Sequence, residues 1–236
     1  MKPTTLKQAL LNKLTQKEME NLITSFDIVG DIAIIEIRNE LKHKERLIGQ
    51  TLLSLHKNIK VVCKKQGMHK GIFRRQNYRI IAGERRKTTI YKENNIRLKL
   101  HIESTYFSSR LSTERKRIAE MVKPGEDVLV MFSGVAPYPL VIAKNTKARS
   151  VYGIEINPHA HKFALENLKL NKVQNVFLYY GDVRDVIPTI LKKMKANDKL
   201  FKGFDRIIMP LPKNAPSFLD IALMAAKHGT VIHMYD

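Results

Sequence analysis

The chain has 236 residues, 42 lysines and arginines against 22 aspartates and glutamates, and a single cysteine. At 44% hydrophobic and 27% charged, it has the composition of a globular protein, long enough for one large domain or two modest ones. Cys63 alone can form neither an internal disulfide nor a Cys-rich zinc site, and the longest apolar-rich run, 128–143, is broken by Gly134, Pro137 and Pro139. A disulfide-stapled scaffold and a membrane-spanning helix are therefore excluded. The N-terminus lacks the apolar core of a signal peptide, so the expected location is the cytoplasm. The net charge of +20 favours a polyanionic partner, nucleic acid ahead of an anionic membrane. Lysine richness without nucleic-acid binding is the bland alternative, and charge names a partner class, not a reaction.

Helical spacing opens the chain over about 6–24 and returns over about 41–56. Short β-rich runs lie at 31–37 and 61–63. Two more, 88–92 and 97–102, flank the turn-like Glu93-Asn94-Asn95; Leu98, Leu100 and Ile102 there alternate with Lys99 and His101. This part, residues 1–112, reads as a small basic α+β module. From 113 to 236 strand and helix alternate. Strands are predicted at 127–132, 150–156, 176–180, 205–211 and 230–235, and helices at about 139–147, 159–171, 185–196 and 217–227. That alternation predicts an α/β fold, a doubly wound, mostly parallel Rossmann-like sheet.

Ligands of such sheets bind beyond the carboxyl ends of the strands. The first strand ends in a tight turn containing Gly134, where a ligand can approach the backbone; the turn is not GxGxxG, which argues against a pyrophosphate. The second ends in Glu155-Ile156-Asn157-Pro158, a carboxylate placed as ribose-binding carboxylates are; the third ends in Gly181-Asp182-Val183, where Asp182 can accept from an adenine amino group. Each carboxylate alone reads equally as a helix cap. Three strand ends in order make a stronger pattern.

Residues 128–183 resemble the S-adenosylmethionine-binding half of a class I methyltransferase. The stretches SFDIVGDIAIIEI, HKGIFRRQNYRIIAGERRKTTIYKENNIRLKL, YFSSRLSTERKRIA, MFSGVAPYPLVIAK, YGIEINPHAHKFALENLKLNK and DRIIMPLPKNAPSFLDIAL cover most of 25–235. They resemble the archaeal and eukaryotic tRNA guanosine-37 N1-methyltransferase family. The resemblance implies S-adenosylmethionine as cofactor, with Phe132, Gly134, Glu155, Ile156, Asn157, Asp182 and Val183 lining its site and Arg115 nearby. It implies tRNA as partner, gripped at the anticodon stem-loop by the basic module, with the target base flipped out.

Methylating N1 of guanine requires removing its proton and stabilising charge on O6, a task for a carboxylate and a cationic donor, with no metal. In the segment 106–115 the resemblance makes Glu114 the general base, Tyr106 a wall of the pocket and Arg110 a phosphate or base contact. Arg74 matches the arginine that supports O6; its neighbour Arg75 is a substrate contact, and a swap of their roles stays open. Glu114 also reads as an ordinary first-turn helix carboxylate, and Arg74–Arg75 as a solvated basic patch. Pro210 and Pro212 close the fourth strand against the base, Pro210 standing where the family commonly has asparagine. Val130 stands where an acidic residue is common, and Ala136 where glycine is. These departures resemble the archaeal branch associated with wyosine-type modification. Aminocarboxypropyl transfer from the same cofactor and non-catalytic tRNA binding are the competing readings. The sheet is expected to stop after five strands with an exposed edge, which implies either a C-terminally shortened form or a partner chain that covers it.

Overall fold

The computed structural model describes residues 4–71, 75–211 and 215–235, without the side chains of 68–70 and 75. The chain packs as two compact units, Met1–Tyr91 with Leu100–Ser109, and Lys92–Lys99 with Arg110–Asp236. Residues 92–99, expected in the basic module, group with the second unit because side chains of that unit hold them, as described below.

In the first unit the expected single helix over 6–24 is two short ones, α1 (Leu6–Leu10) and α2 (Gln16–Glu20). Each restarts at a threonine. Thr5 accepts from the Gln8 amide while Gln8 Oε1 accepts from the Thr5 amide, and Thr15 and Glu18 repeat the arrangement. A four-stranded sheet follows, in order β1 (Phe26–Val29), β2 (Ile32–Ile35), β3 (Val61–Lys70) and β4 (Arg75–Gly83). β2 and β3 run parallel, joined by α3 (Glu45–Leu55); the outer pairs are antiparallel. Ile48 and Leu52 of α3 pack with Ile35, Val62 and the N-terminal Leu6, Leu10 and Leu14. Gly49 lets that helix lie close on β4: a Cβ there would come within 2.9 Å of the Ala82 Cβ.

β5 (Thr88–Glu93) and β6 (Ile96–His101) form a hairpin. Asn94 and Asn95 both have positive φ, 37° and 63°, the geometry of a two-residue turn whose twist matches the strands.

The second unit holds α4 (Ser112–Glu120) and then five parallel strands with helical crossovers. In chain order these are β7 (Asp127–Val130), α5 (Pro137–Asn145), β8 (Ser150–Glu155), α6 (Pro158–Asn171), β9 (Val176–Tyr180), α7 (Val183–Asn197), β10 (Phe204–Met209), α8 (Leu219–Ala225) and β11 (Ala226–Met234). The spatial order is β11-β10-β7-β8-β9, a doubly wound sheet. The winding reverses between β7 and β10, which opens a crevice at their carboxyl ends. Leu129, Ile154, Ile207 and Met209 join Ile187, Ile190 and Ala222 in the core, whereas β11 forms one edge, with Val231 and Met234 exposed. Among the described residues no helix is long and apolar enough to cross a membrane.

Helix α6 also completes the hairpin tip. Asn171 accepts from the Arg97 amide at 2.8 Å and donates to the Arg97 carbonyl at 2.6 Å. One turn earlier, Asn167 accepts from the Lys99 amide at 2.7 Å and donates to the Lys99 carbonyl at 3.0 Å. Spacing i, i+4 on the helix thus meets spacing i, i+2 on the strand, and two side-chain amides stand in for a neighbouring strand.

Candidate active site

The loop after β7 is tightly shaped. Phe132, Gly134 and Ala136 have φ of 58°, 57° and 68°, so three of five consecutive residues are left-handed, two of them without the freedom of glycine. Such conformations persist where surrounding bonds over-determine them. Here Met131 N–H donates to the Ile208 carbonyl of β10, Ser133 N–H to the Ile154 carbonyl of β8, and Gly134 N–H to Glu155 Oε2 at 2.6 Å. Asn167 adds a bond to the Val135 carbonyl at 3.1 Å.

Glu155 ends β8 beside this loop, its second oxygen accepting from the Asn157 amide at 2.7 Å. Burial pushes the Glu155 carboxyl above its usual range, while the amides of Asn157, Gly134 and Ile156 pull the other way. With three amides on about four lone-pair sites, the carboxylate keeps room for a further donor such as a ribose hydroxyl. Ile156, 36% exposed, offers an apolar surface next to it. Asp182 ends the third strand and caps α7 through the Arg184 amide at 2.9 Å. Buried Asn157 caps α6 through the His159 amide at 3.0 Å. The helix-cap reading of Asp182 holds, and it leaves further acceptor capacity. Phe132 meets Phe218 edge-on, with centroids 4.9 Å apart. Val183, expected to line the cofactor, is buried in the core under α7. The carboxylates, the open apolar side chain and the bent loop suit a nucleoside in chemistry and in order.

Glu114 lies in the first turn of α4. Arg117 Nε donates to its Oε2 at 2.6 Å and Arg117 Nη2 to its Oε1 at 2.7 Å; the Tyr235 hydroxyl donates to Oε1 at 2.9 Å. The Arg117 guanidinium holds the Glu114 carboxyl below the usual carboxylate range, burial opposing it and Tyr235 adding to it. Arg115, expected near the cofactor, is buried and makes a two-pronged pair with Glu93 at 2.5 and 2.6 Å, both side chains 2% exposed. The helix is further tied down by buried Arg206 of β10, which donates to the Met121 carbonyl, to Glu126 and toward His233. Arg110 stands exposed in the short turn before α4, and Pro210 follows β10.

Tyr106 belongs to the first unit and is partly buried there. Arg74 and Pro212 lie outside the described residues, as does the side chain of Arg75, whose backbone begins β4. Sequence reasoning missed Arg117, Tyr235 and Asn167. The i, i+3 spacing from Glu114 could have flagged Arg117; nothing local marks the other two.

The profile of the TRM5/TYW2 methyltransferase domain matches residues 89–236, and that of the TYW2 N-terminal domain matches 6–87. The tRNA (guanine(37)-N(1))-methyltransferase Trm5b of Pyrococcus abyssi is 46% identical over 214 residues, covering 91% of this chain and 60% of that protein. The structure of aTrm5 in complex with tRNALeu superposes with a TM-score of 0.83 at 34% identity, over 99% of this chain and 66% of that one. The TYW2 of P. horikoshii in complex with MeSAdo gives 0.75 at 30% identity, over 98% and 78%. This chain therefore spans less than two thirds of the Trm5b protein and of the aTrm5 chain. With a family profile covering well over half of its residues, and with this fold and strand-end pattern, the chain belongs to the TRM5/TYW2 methyltransferase family.

Proposed function

We propose that the chain binds S-adenosylmethionine in the second unit and uses it to methylate N1 of guanosine 37 in tRNA. The observation that carries this reading is the row of strand-end groups, Gly134, Glu155, Ile156 and Asp182, in a chain 46% identical to a guanine-37 methyltransferase. Glu155 would hold the ribose, Ile156 the adenine face and Asp182 its amino group, with Phe132 at the loop. The cofactor supplies an electrophilic methyl group. Glu114 would take the N1 proton as N1 gains the methyl group, and the cofactor would leave as the neutral thioether. Arg74, and Arg75 beside it, would stabilise charge on O6, and Tyr106, Arg110, Pro210 and Pro212 would hold the substrate, as the family resemblance implies. The +20 charge suits a tRNA partner.

The test is methyl transfer to tRNA transcripts that differ only at position 37. Guanosine at 37 is expected to yield 1-methylguanosine, and Glu114→Ala and Arg74→Ala to lose turnover while retaining cofactor binding. Equal methylation of an adenosine-37 transcript refutes the assignment. The match of residues 6–87 to the TYW2 N-terminal domain favours a second reading, aminocarboxypropyl transfer to the same nucleotide. The mass of the added group separates the two.

A further inference from the structure

The hydroxyls of Tyr138 and Tyr235 and the carboxylate of Glu114 form a continuous hydrogen-bonded row, 2.6 Å between the phenols and 2.9 Å onto Glu114 Oε1. An ionised carboxylate only accepts, so Tyr235 donates to it. With its proton committed, Tyr235 can only accept from Tyr138. The direction of the row is therefore fixed, and it ends on Glu114. Tyr138 is buried on α5, and Tyr235 follows the edge strand β11, so the row ties a helix carboxylate to two other elements.

Arg117 also binds Glu114, but from one turn away on the same helix, with a side chain 51% exposed. Such a pair moves with the helix and is weak in water. It cannot fix the carboxylate relative to the sheet ends where the cofactor residues stand. The two oxygens differ accordingly: Oε1 receives Tyr235 and Arg117 Nη2, whereas Oε2 receives Arg117 Nε.

We propose that Tyr235, braced by Tyr138, is the positioning residue for Glu114: it anchors Oε1 to the sheet and leaves Oε2 as the oxygen that takes the guanosine N1 proton. The inference rests on Glu114 being the general base. On that reading the N1 proton moves to Oε2 as N1 gains the methyl group, and neither tyrosine gives up its proton. The row starts on a buried phenol, Tyr138, so its work is orientation and retention of charge. The charged and titratable groups facing this carboxylate are Arg117 on α4, Tyr235 and His233 from the β11 side, Tyr138 on α5 and, beyond His233, Arg206 on β10. Burial, then Arg206 and Arg117, hold His233 below its usual range.

The test compares the native chain with Tyr235→Phe, which keeps the ring and removes one oxygen. Two readouts are taken: carbon-13 carboxyl titration of Glu114, assigned with Glu114→Gln, and the pH profile of kcat on guanosine-37 tRNA. The Glu114 titration is expected to move upward. kcat should fall about three- to tenfold near the acid limb, the worth of one hydrogen bond to a charged group, with KM for tRNA and cofactor unchanged. The acid limb should move up with the titration, and Tyr138→Phe should give a smaller shift of the same sign. An unmoved titration with an unmoved pH profile overturns the proposal. So does a lowered melting temperature with KM raised and the profile unshifted, the signature of a merely structural tyrosine. If the native chain leaves guanosine 37 unmethylated, the functional reading falls. The titration then decides positioning alone: an upward shift in Tyr235→Phe supports it and an unchanged one refutes it.

Discussion

Replacing Asn167 by alanine should destabilise the second unit by about 3 kcal/mol, and the number follows from three bonds. Its side chain is fully buried and accepts from the Lys99 amide while donating to the carbonyls of Lys99 and Val135. Each bond contributes on the order of 1 kcal/mol net, and truncation leaves all three backbone partners without it in a site closed to water. Losing the carboxamide also leaves a small cavity, and alanine's higher helix propensity offsets part of that cost. Urea unfolding gives the energy directly, and a loss of this size corresponds to a fall in melting temperature of about 6–12 °C for a chain of this length. Val135 lies between Gly134 and Ala136, so affinity for S-adenosylhomocysteine, measured by calorimetry, should weaken as well. Asn167→Asp should be worse than alanine, since a carboxylate would face two carbonyls. An alanine variant within about 0.5 kcal/mol of native, the range of ordinary surface changes, would refute the idea that this asparagine substitutes for a strand.

Arg115→Ala should cost about 3–5 kcal/mol because it strands the Glu93 carboxylate at 2% exposure, whereas the paired change Arg115→Met with Glu93→Leu should recover most of that; denaturant melts that show a loss under about 1 kcal/mol for the single variant would contradict the buried pairing. Cofactor affinity should decline as pH falls through the raised value of Glu155, at a pH above the ordinary glutamate value of about 4.3, because the ionised form is the stronger acceptor for a ribose hydroxyl. The sign for stability is opposite: a carboxyl raised by burial favours folding most below its unfolded value and loses that contribution as pH rises through the folded one. Calorimetry across pH checks the binding limb, and a Glu155→Gln variant that keeps it would assign the titration elsewhere.

The second unit was the more legible half. Its strands are short apolar runs, those of β7 and β10 buried on both faces, so β7, β8, β9 and β10 announce themselves, and the carboxylates ending β8 and β9 follow from their positions. β4 stayed hidden because its pattern, RQNYRIIAG, opens polar and closes apolar with no sustained alternation. The break between α1 and α2 was written in Thr15 and Glu18, a capping pair that helical periodicity overrode. Val183 is a cofactor contact only by the family resemblance, and in the fold its side chain is buried with the core residues of α7. Pairings across long chain separations carry no local signal. Glu93 with Arg115, and Tyr235 with Glu114, join residues that sequence periodicity treats as unrelated. Asn167 and Asn171 carry no local sign of their partners, and only the fold reveals a strand edge opposite them.

That strand edge has a consequence for how the molecule behaves in a crowded solution. β6 pairs with β5 on one side, and a two-stranded ribbon ordinarily presents its other side as a template for foreign strands. At Arg97 and Lys99 the outward amides and carbonyls are already occupied by the two asparagines, so an approaching chain finds no free register to join. The helix thus acts as a guard against intermolecular β-pairing, without a proline, a bulge or an extra strand.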